Sequence, residues 1–382
     1  MWNGSGFRIT NARVVLPDAV VDGGVVVEDG IISQIGPPAG AAGPAVDLEG
    51  DYLLPGLVEL HTDNMEKHVQ PRPGADIDVW PALLGHDLEL VGCGITTAFN
   101  ATSVGDTVPG GFRNRIVVPL LEAVRDAGAL GLLRCDHRVH LRCEVSDPDC
   151  AMLFQAATAV APPELLSLTD HTPGQRQWSD LDRFRAHYGS RLRLSAAELD
   201  DLVQRRVANQ RRHASAHAAH ILASDAARAA ILASHDDTTD DHVLKAVGAG
   251  VAISEFPTTQ TAAALAARHG LAVVMGAPNF VRGGSHSGNA CARTLVSRGL
   301  VSILSSDYAP ASLLQAAFKA EDLGLLSLPA AVRLVASAPA EAARLDDRGS
   351  VRVGLRADLL RVRRTAHGPA VLAVWTAGRR LL

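Results

Sequence analysis

His61 and Asp63 close an apolar run, LVELHTD over residues 57–63, and their two-residue spacing puts both side chains on one face of a strand. Four more ligand-type residues end similar runs: Glu144 in LLRCDHRVHLRCEV, His171 in LLSLTDH, His235 in AILASHD and Asp307 in VSILSSD. A lone histidine at a strand end is more often a hydrogen-bonded structural residue than a ligand. The joint placement of the six changes that reading, because an unpaired ionisable group in an apolar setting is costly. Three imidazoles and three carboxylates supply ligands for two divalent ions, with Glu144 the natural bridge. His140 shares a strand face with Glu144 one layer deeper and reads equally well as structural or functional. His213, His217 and His220 fall at i, i+4 and i+7 of a predicted helix, outside the strand-end set, and read as a surface or lid stripe.

Bringing such distant residues together requires a scaffold. From residue 57 to about 310, apolar runs alternate with Ala/Leu/Arg-rich helical stretches, the pattern of βα units around a parallel sheet. The predicted strands are 57–63, 95–101, 132–145, 165–171, 230–236, 251–256, 271–277 and 301–307. Eight of them predict an α/β fold with a TIM-type (β/α)8 barrel over residues 56–345, in which the carboxyl ends of the strands share one mouth. An Arg-rich stretch over 178–228 breaks the rhythm and reads as a helical excursion over that mouth. Short β-branched runs in 1–55 and 346–382 predict a small β-sandwich domain built from both termini.

Composition narrows the function. A net charge of -5 over 382 residues argues against nucleic acid or a membrane surface as partner, since either needs clustered Lys/Arg. Five cysteines without a CxxC pair, and an opening MWNGSGFRIT without a basic-then-apolar pattern, predict a cytoplasmic protein. No apolar stretch reaches the roughly 18 residues of a membrane-spanning helix.

PGLVELHTD, followed by distant strand-end His, His and Asp and flanked by a β domain from both termini, resembles the amidohydrolase superfamily. More specifically, HTDNMEKHVQPRPG (61–74), DHTPGQRQ (170–177) and GAPNFVRGGSHSGN (276–289) resemble the diphosphatases of the carbon-phosphorus lyase pathway, which act on a ribose 1-methylphosphonate 5-triphosphate. The superfamily pattern usually begins His-x-His, whereas this chain has His61-x-Asp63. The harder oxygen donor favours Mg²⁺ or Mn²⁺ somewhat more than Zn²⁺ alone. Many superfamily members bridge their metals with a carboxylated lysine, but Lys67, Lys245 and Lys319 are the only lysines and none ends a strand. The bridge falls again to Glu144.

A triphosphate carries about four negative charges, so an acidic chain must add cationic side chains to its metal ions. The candidates are Lys67, His68 and Arg72 after the first strand, Arg176 after the fourth, and Arg282 in a loop with Ser285, His286 and Asn289. The run RGGSHSGN can also present backbone N–H groups to phosphate. The resemblance implies attack of activated water on the phosphorus nearest the ribose, release of pyrophosphate, and Asp307 as the group that orients the water and accepts its proton. A cyclic amidohydrolase or N-acyl deacetylase is the main alternative, and the cationic set argues against it, since a neutral hydantoin needs no such charge. A catalytically dead scaffold is disfavoured because all six ligand positions are filled. Association as a homodimer is expected, as barrel enzymes often pair through symmetric contacts.

Overall fold

The computed structural model describes residues 6–36, 43–72, 74–107, 111–192, 194–285 and 287–382. Eight parallel strands run in chain order around a barrel: β1 (Leu57–Thr62), β2 (Ile95–Val104), β3 (Asp136–Glu144), β4 (Leu165–Thr169), β5 (Ile231–His235), β6 (Ile253–Glu255), β7 (Ala272–Gly276) and β8 (Ile303–Ser305). All eight coincide with predicted runs. β3 starts four residues later than predicted, because the backbone N–H groups of Arg134 and Cys135 both donate to the Asp87 carboxylate, 2.9 Å each, rather than to a ladder.

The barrel closes between β8 and β1. A parallel bridge joins Thr62 to Asp307, the Asp307 N–H donates to the His61 carbonyl at 3.1 Å, and the Asp63 N–H donates to the Asp307 carbonyl at 3.2 Å. Beneath this seam lies Glu59, fully buried, which accepts from the N–H of His61 (2.7 Å) and of Ser306 (2.6 Å) and from the Ser305 hydroxyl. A carboxylate satisfied from both strands fixes their relative height, and hence the positions of His61, Asp63 and Asp307 above it.

Both termini share a second, mixed sheet of eight strands. Its central strand Tyr52–Pro55 pairs in parallel with Arg13–Val14 and antiparallel with Leu359–Thr365, then leads straight into β1 through Gly56. A Cβ at Gly56 would stand 2.2 Å from Thr96 Oγ1, so only glycine permits this passage. The sheet rolls over its own apolar core, where Phe7 stacks on Trp375, because Ile32 and Gly30 on its far edge exchange backbone hydrogen bonds with residues 354–357. The satellite domain of both termini is thus one mixed sheet curled over that core.

Between β4 and β5 the helices Leu181–Leu192, Ala196–Leu222 and Asp225–Ala229 form the helical excursion. The 27-residue central helix starts at a capping box, Ser195 and Glu198. Trp178, Phe184, Tyr188, Leu199 and Leu202 form its own small core. The Arg206 guanidinium lies 5.4 and 5.3 Å over the rings of Phe184 and Tyr188 and donates to the His171 carbonyl at 2.7 Å, tying the excursion to the mouth. The histidine stripe faces elsewhere: His213 stacks on His217, which bonds the Val145 carbonyl, and His220 meets Gln155.

Candidate metal and phosphate site

A cavity of about 570 Å³ opens at the carboxyl ends of the strands and is lined by His61, Asp63, Arg142, His171, His235 and Asp307 among others. Three strand ends turn into it through residues in the left-handed region, Asp236 (φ 55°), Phe256 (φ 53°) and Asp307 (φ 53°). Such backbone is strained for non-glycine residues and persists where surrounding structure over-determines it, as at functional sites.

Two carboxylates sit behind the imidazoles. Glu255, at the end of β6 and 1% exposed, lies between His61 and His235, with its Oε1 3.0 Å from His61 Nδ1 and its Oε2 3.1 Å from His235 Nδ1. Glu144, at the end of β3, lies against His171: its Oε2 is 2.5 Å from His171 Nδ1, and its Oε1 accepts from Ser146 Oγ (2.5 Å) and from the His171 N–H (3.1 Å). With Nδ1 held by a carboxylate, the Nε2 atoms of His171 and His235 point to Asp236, at 3.8 and 3.5 Å from its Oδ2. A carboxylate behind an imidazole whose other nitrogen is free is the usual support of a metal-binding histidine.

Glu144, expected from sequence to bridge two metal ions, has its oxygens at His171 and Ser146, and the carboxylate that contacts two histidines is Glu255. The same strand-end rule could have found Glu255, which closes the run VAISEF. His140 lies deeper, fully buried, with Nδ1 at the Leu60 carbonyl (3.0 Å) and Nε2 at Ser167 Oγ (2.5 Å); burial pushes its ring down to about 3, so it is neutral.

The donors fit a cation. Asp63 Oδ1 is buried and makes no hydrogen bond among the described residues, while His61 Nδ1 and Glu255 Oε1 have only each other within hydrogen-bond reach, at 3.0 Å, and unsatisfied buried polar atoms are rare without a ligand to satisfy them. Two convergent sets occur here, His61/His140/Glu255 and His171/His235/Asp236, each with ligand atoms within 4.8 Å of one another. Burial pushes Glu144 up, but the His171 ring, Ser146 and Arg206 outweigh it and hold the carboxyl at about 2. Burial and the neighbouring Asp63 carboxylate push Asp307 the other way, up to about 7.

Among the cations, Arg142 was missed from sequence although it alternates with His140 and Glu144 on one strand face. Its Nη1 lies 3.3 Å from His61 Nε2, its Nη2 donates to Ser103 Oγ at 2.9 Å and stands 3.9 Å from Asp63 Oδ2. Arg113, also unforeseen, lines the cavity while paired with Glu66 at 2.7 Å. Arg282 lines it too, donating to Tyr308 Oη at 2.6 Å, beside Ser285, Ser287 and Asn289. Lys67 is exposed and donates to the carbonyl of Tyr308, a residue of the cavity wall, without lining the cavity itself.

Other predicted phosphate ligands stand elsewhere. Arg176 is spent on the His235 carbonyl (2.6 Å) and Asp237 Oδ1 (2.9 Å), holding the β5 turn. Arg72 is exposed and does not line the cavity, and His68 faces Glu89 at 2.7 Å outside the barrel. His68 sits in the last turn of helix Asn64–Val69 and Arg72 follows it, so the helix carries both away from the mouth. His286 lies outside the described residues.

Over 98% of its length the chain is 41% identical to the alpha-D-ribose 1-methylphosphonate 5-triphosphate diphosphatase of Escherichia coli (strain K12), covering 99% of that protein. This chain belongs to that diphosphatase family. No protein-family model matches it. The fold also matches dihydropyrimidinase from Brevibacillus agri (TM-score 0.62, 12% identity, 99% of this chain and 95% of that one) and N-isopropylammelide isopropylaminohydrolase from Burkholderia multivorans (TM-score 0.63, 18% identity, 99% and 98%). These likenesses concern the barrel and its sheet. The family membership makes the chain a hydrolase, and no described helix is long and apolar enough to cross a membrane.

Proposed function

We propose that the chain hydrolyses alpha-D-ribose 1-methylphosphonate 5-triphosphate to the 5-phosphate and pyrophosphate, in phosphonate breakdown. The observation that carries this reading is a cation-ready mouth that also holds arginines: Arg142 at its floor and Arg113 and Arg282 on its walls. A neutral cyclic amide would need the first feature and not the second.

Two divalent ions fit the mouth, one beside His61 and Glu255, whose convergent set is completed by His140 and next to which Asp63 lines the cavity, the other at His171, His235 and Asp236, with Asp307 beside them. The mixed imidazole and carboxylate donors suit Mn²⁺, Mg²⁺ or Zn²⁺. Such ions, when bound, make water a nucleophile at neutral pH and neutralise phosphate charge. The chain's own groups do the rest. Asp307, with a carboxyl displaced towards neutrality, takes the proton of the water that attacks the α-phosphorus. The bond from that phosphorus to the oxygen bridging towards the β-phosphorus breaks, and pyrophosphate departs. Arg142 stabilises charge gathering on the reacting phosphoryl oxygens, and Arg282 and Arg113 hold the outer phosphates. Trp178 and Tyr188 wall the cavity on the excursion side and restrict water.

All five cysteines are free thiols, which supports work in a reducing cytoplasm, and we take the enzyme to act as a homodimer of chains with residues 56–345 as barrel and 1–55 with 346–382 as satellite domain. Phosphorus NMR tests the activity: Mn²⁺-loaded protein should convert the triphosphate to pyrophosphate and a 5-phosphate with the phosphonate signal retained, and metal-stripped protein should not. An unchanged triphosphate beside ring opening of a dihydropyrimidine would replace this reading with the amidohydrolase one.

A further inference from the structure

Outside the barrel mouth, helix Asn64–Val69 packs on helix Val79–Gly92, and their seam holds another convergent set of donors. His86 and Glu89 stand three residues apart on the second helix, so they share a face. His68 comes from the first. One ligand atom from each of the three lies within 4.8 Å of the others. His68 Nε2 is 2.7 Å from Glu89 Oε2, and the rings of His68 and His86 are 5.6 Å apart between centroids.

The seam has the features of a built site. His86 Nε2 lies 3.0 Å from Asn100 Oδ1; a carbonyl oxygen only accepts, so Nε2 carries the proton and Nδ1 presents a lone pair to the seam. That lone pair and Glu89 Oε2 converge on a single donor, the Asn64 amide nitrogen, at 3.3 and 2.6 Å. A shared electropositive partner is where a cation would stand. Gly85 makes room for the His68 ring, since a Cβ there would sit 3.2 Å from His68 Nδ1. Burial is graded, with His86 fully buried and the side chains of His68 and Glu89 28% and 40% exposed, so an ion could enter from solvent and keep a water.

We infer that His68, His86 and Glu89 form a separate transition-metal site, distinct from the mouth and not used in the hydrolysis. Two imidazoles, one carboxylate and a solvent-facing position make the donor set Zn²⁺ and Co²⁺ prefer. An ion there cross-links the two helices and steadies the first, whose N-cap is Asp63. His68 therefore has an assignment that its place in the phosphate set did not give it.

The test uses full-length protein stripped of metal and titrated with Co²⁺, read by visible absorption and by equilibrium dialysis. Protein carrying His61→Ala and His235→Ala, which disable the mouth, should still bind one equivalent. Adding His68→Ala or Glu89→Gln should weaken that binding by more than about 100-fold, as expected of a lost ligand rather than of an outer partner. In the otherwise unaltered enzyme, the same two substitutions should each remove one bound ion and leave triphosphate hydrolysis intact. Circular dichroism confirms folding, and the exposed Glu89→Gln keeps the test open should His68→Ala misfold. No binding to the mouth-disabled protein, or one equivalent indifferent to both substitutions, would overturn the inference.

Discussion

Arg142→Met tests the reading of the mouth most directly. Methionine keeps much of the stem and removes the guanidinium that donates to Ser103 Oγ at 2.9 Å and lies 3.3 Å from His61 Nε2. If that group stabilises charge on the reacting phosphoryl, its loss resembles the loss of an oxyanion donor, about 2.7–4 kcal/mol or 10²–10³ in kcat. The effect on metal should have the opposite sign. Arg142 stands 3.9 Å from Asp63, and unit charges about 4 Å apart at an effective dielectric near 20 interact by ~4 kcal/mol, so removing the arginine should leave cation binding equal or tighter. The assay pairs steady-state pyrophosphate release with metal content by mass spectrometry. Arg142→Lys should fall between, because an ammonium supplies charge but cannot span the same two partners. Turnover within about threefold of the parent, or a loss of turnover that tracks a loss of bound metal, would refute the reasoning.

The two supporting carboxylates should behave differently. Glu255→Gln, which disturbs both His61 and His235, should abolish turnover and metal retention with the fold intact by circular dichroism, whereas Glu144→Gln should cost about 10–100-fold in metal affinity, as for a group acting through one histidine. Equal losses in a metal titration would favour the bridging role of Glu144. Arg282→Ala should raise KM for the triphosphate with a smaller change in kcat, since its partner Tyr308 is on the cavity wall; unchanged kinetics would move the outer phosphates elsewhere. Burial pushes Asp87 up, but the His137 ring and the N–H groups of Cys135 and Arg134 outweigh it, so its folded pKa is depressed. Its stabilisation is therefore present above the unfolded carboxyl pKa of about 4 and lost as pH falls through the folded value. Thermal melts should show Asp87→Asn less stable at pH 7 and less sensitive to acidification below about pH 4 than the parent.

The eight strands were legible because each is a short apolar run bounded by polar turns, and the rule that barrel chemistry gathers at strand carboxyl ends placed His61, Asp63, His171, His235 and Asp307 on one cavity without any coordinate. The rule stopped there. Glu144 and Glu255 look alike in sequence, a glutamate closing an apolar run, and nothing local says which reaches the centre. Loop residues were read less well. Arg176 follows the right strand yet turns back on the His235 carbonyl, while His68 and Arg72 are carried off by one turn of helix.

What the sequence determined by itself was the inventory: which strands exist, which side chains share each strand face, and hence which chemistry is available, all consequences of a two-residue period and local apolar patterning. What only the tertiary structure decided was the height and rotation of one strand against the next. That offset depends on barrel closure, on Glu59 bonding β1 to β8, and on left-handed turns at Asp236, Phe256 and Asp307. These are long-range constraints. They make Glu255 the carboxylate that two histidines share, leave Glu144 behind His171, and put Arg142 at the floor of the mouth.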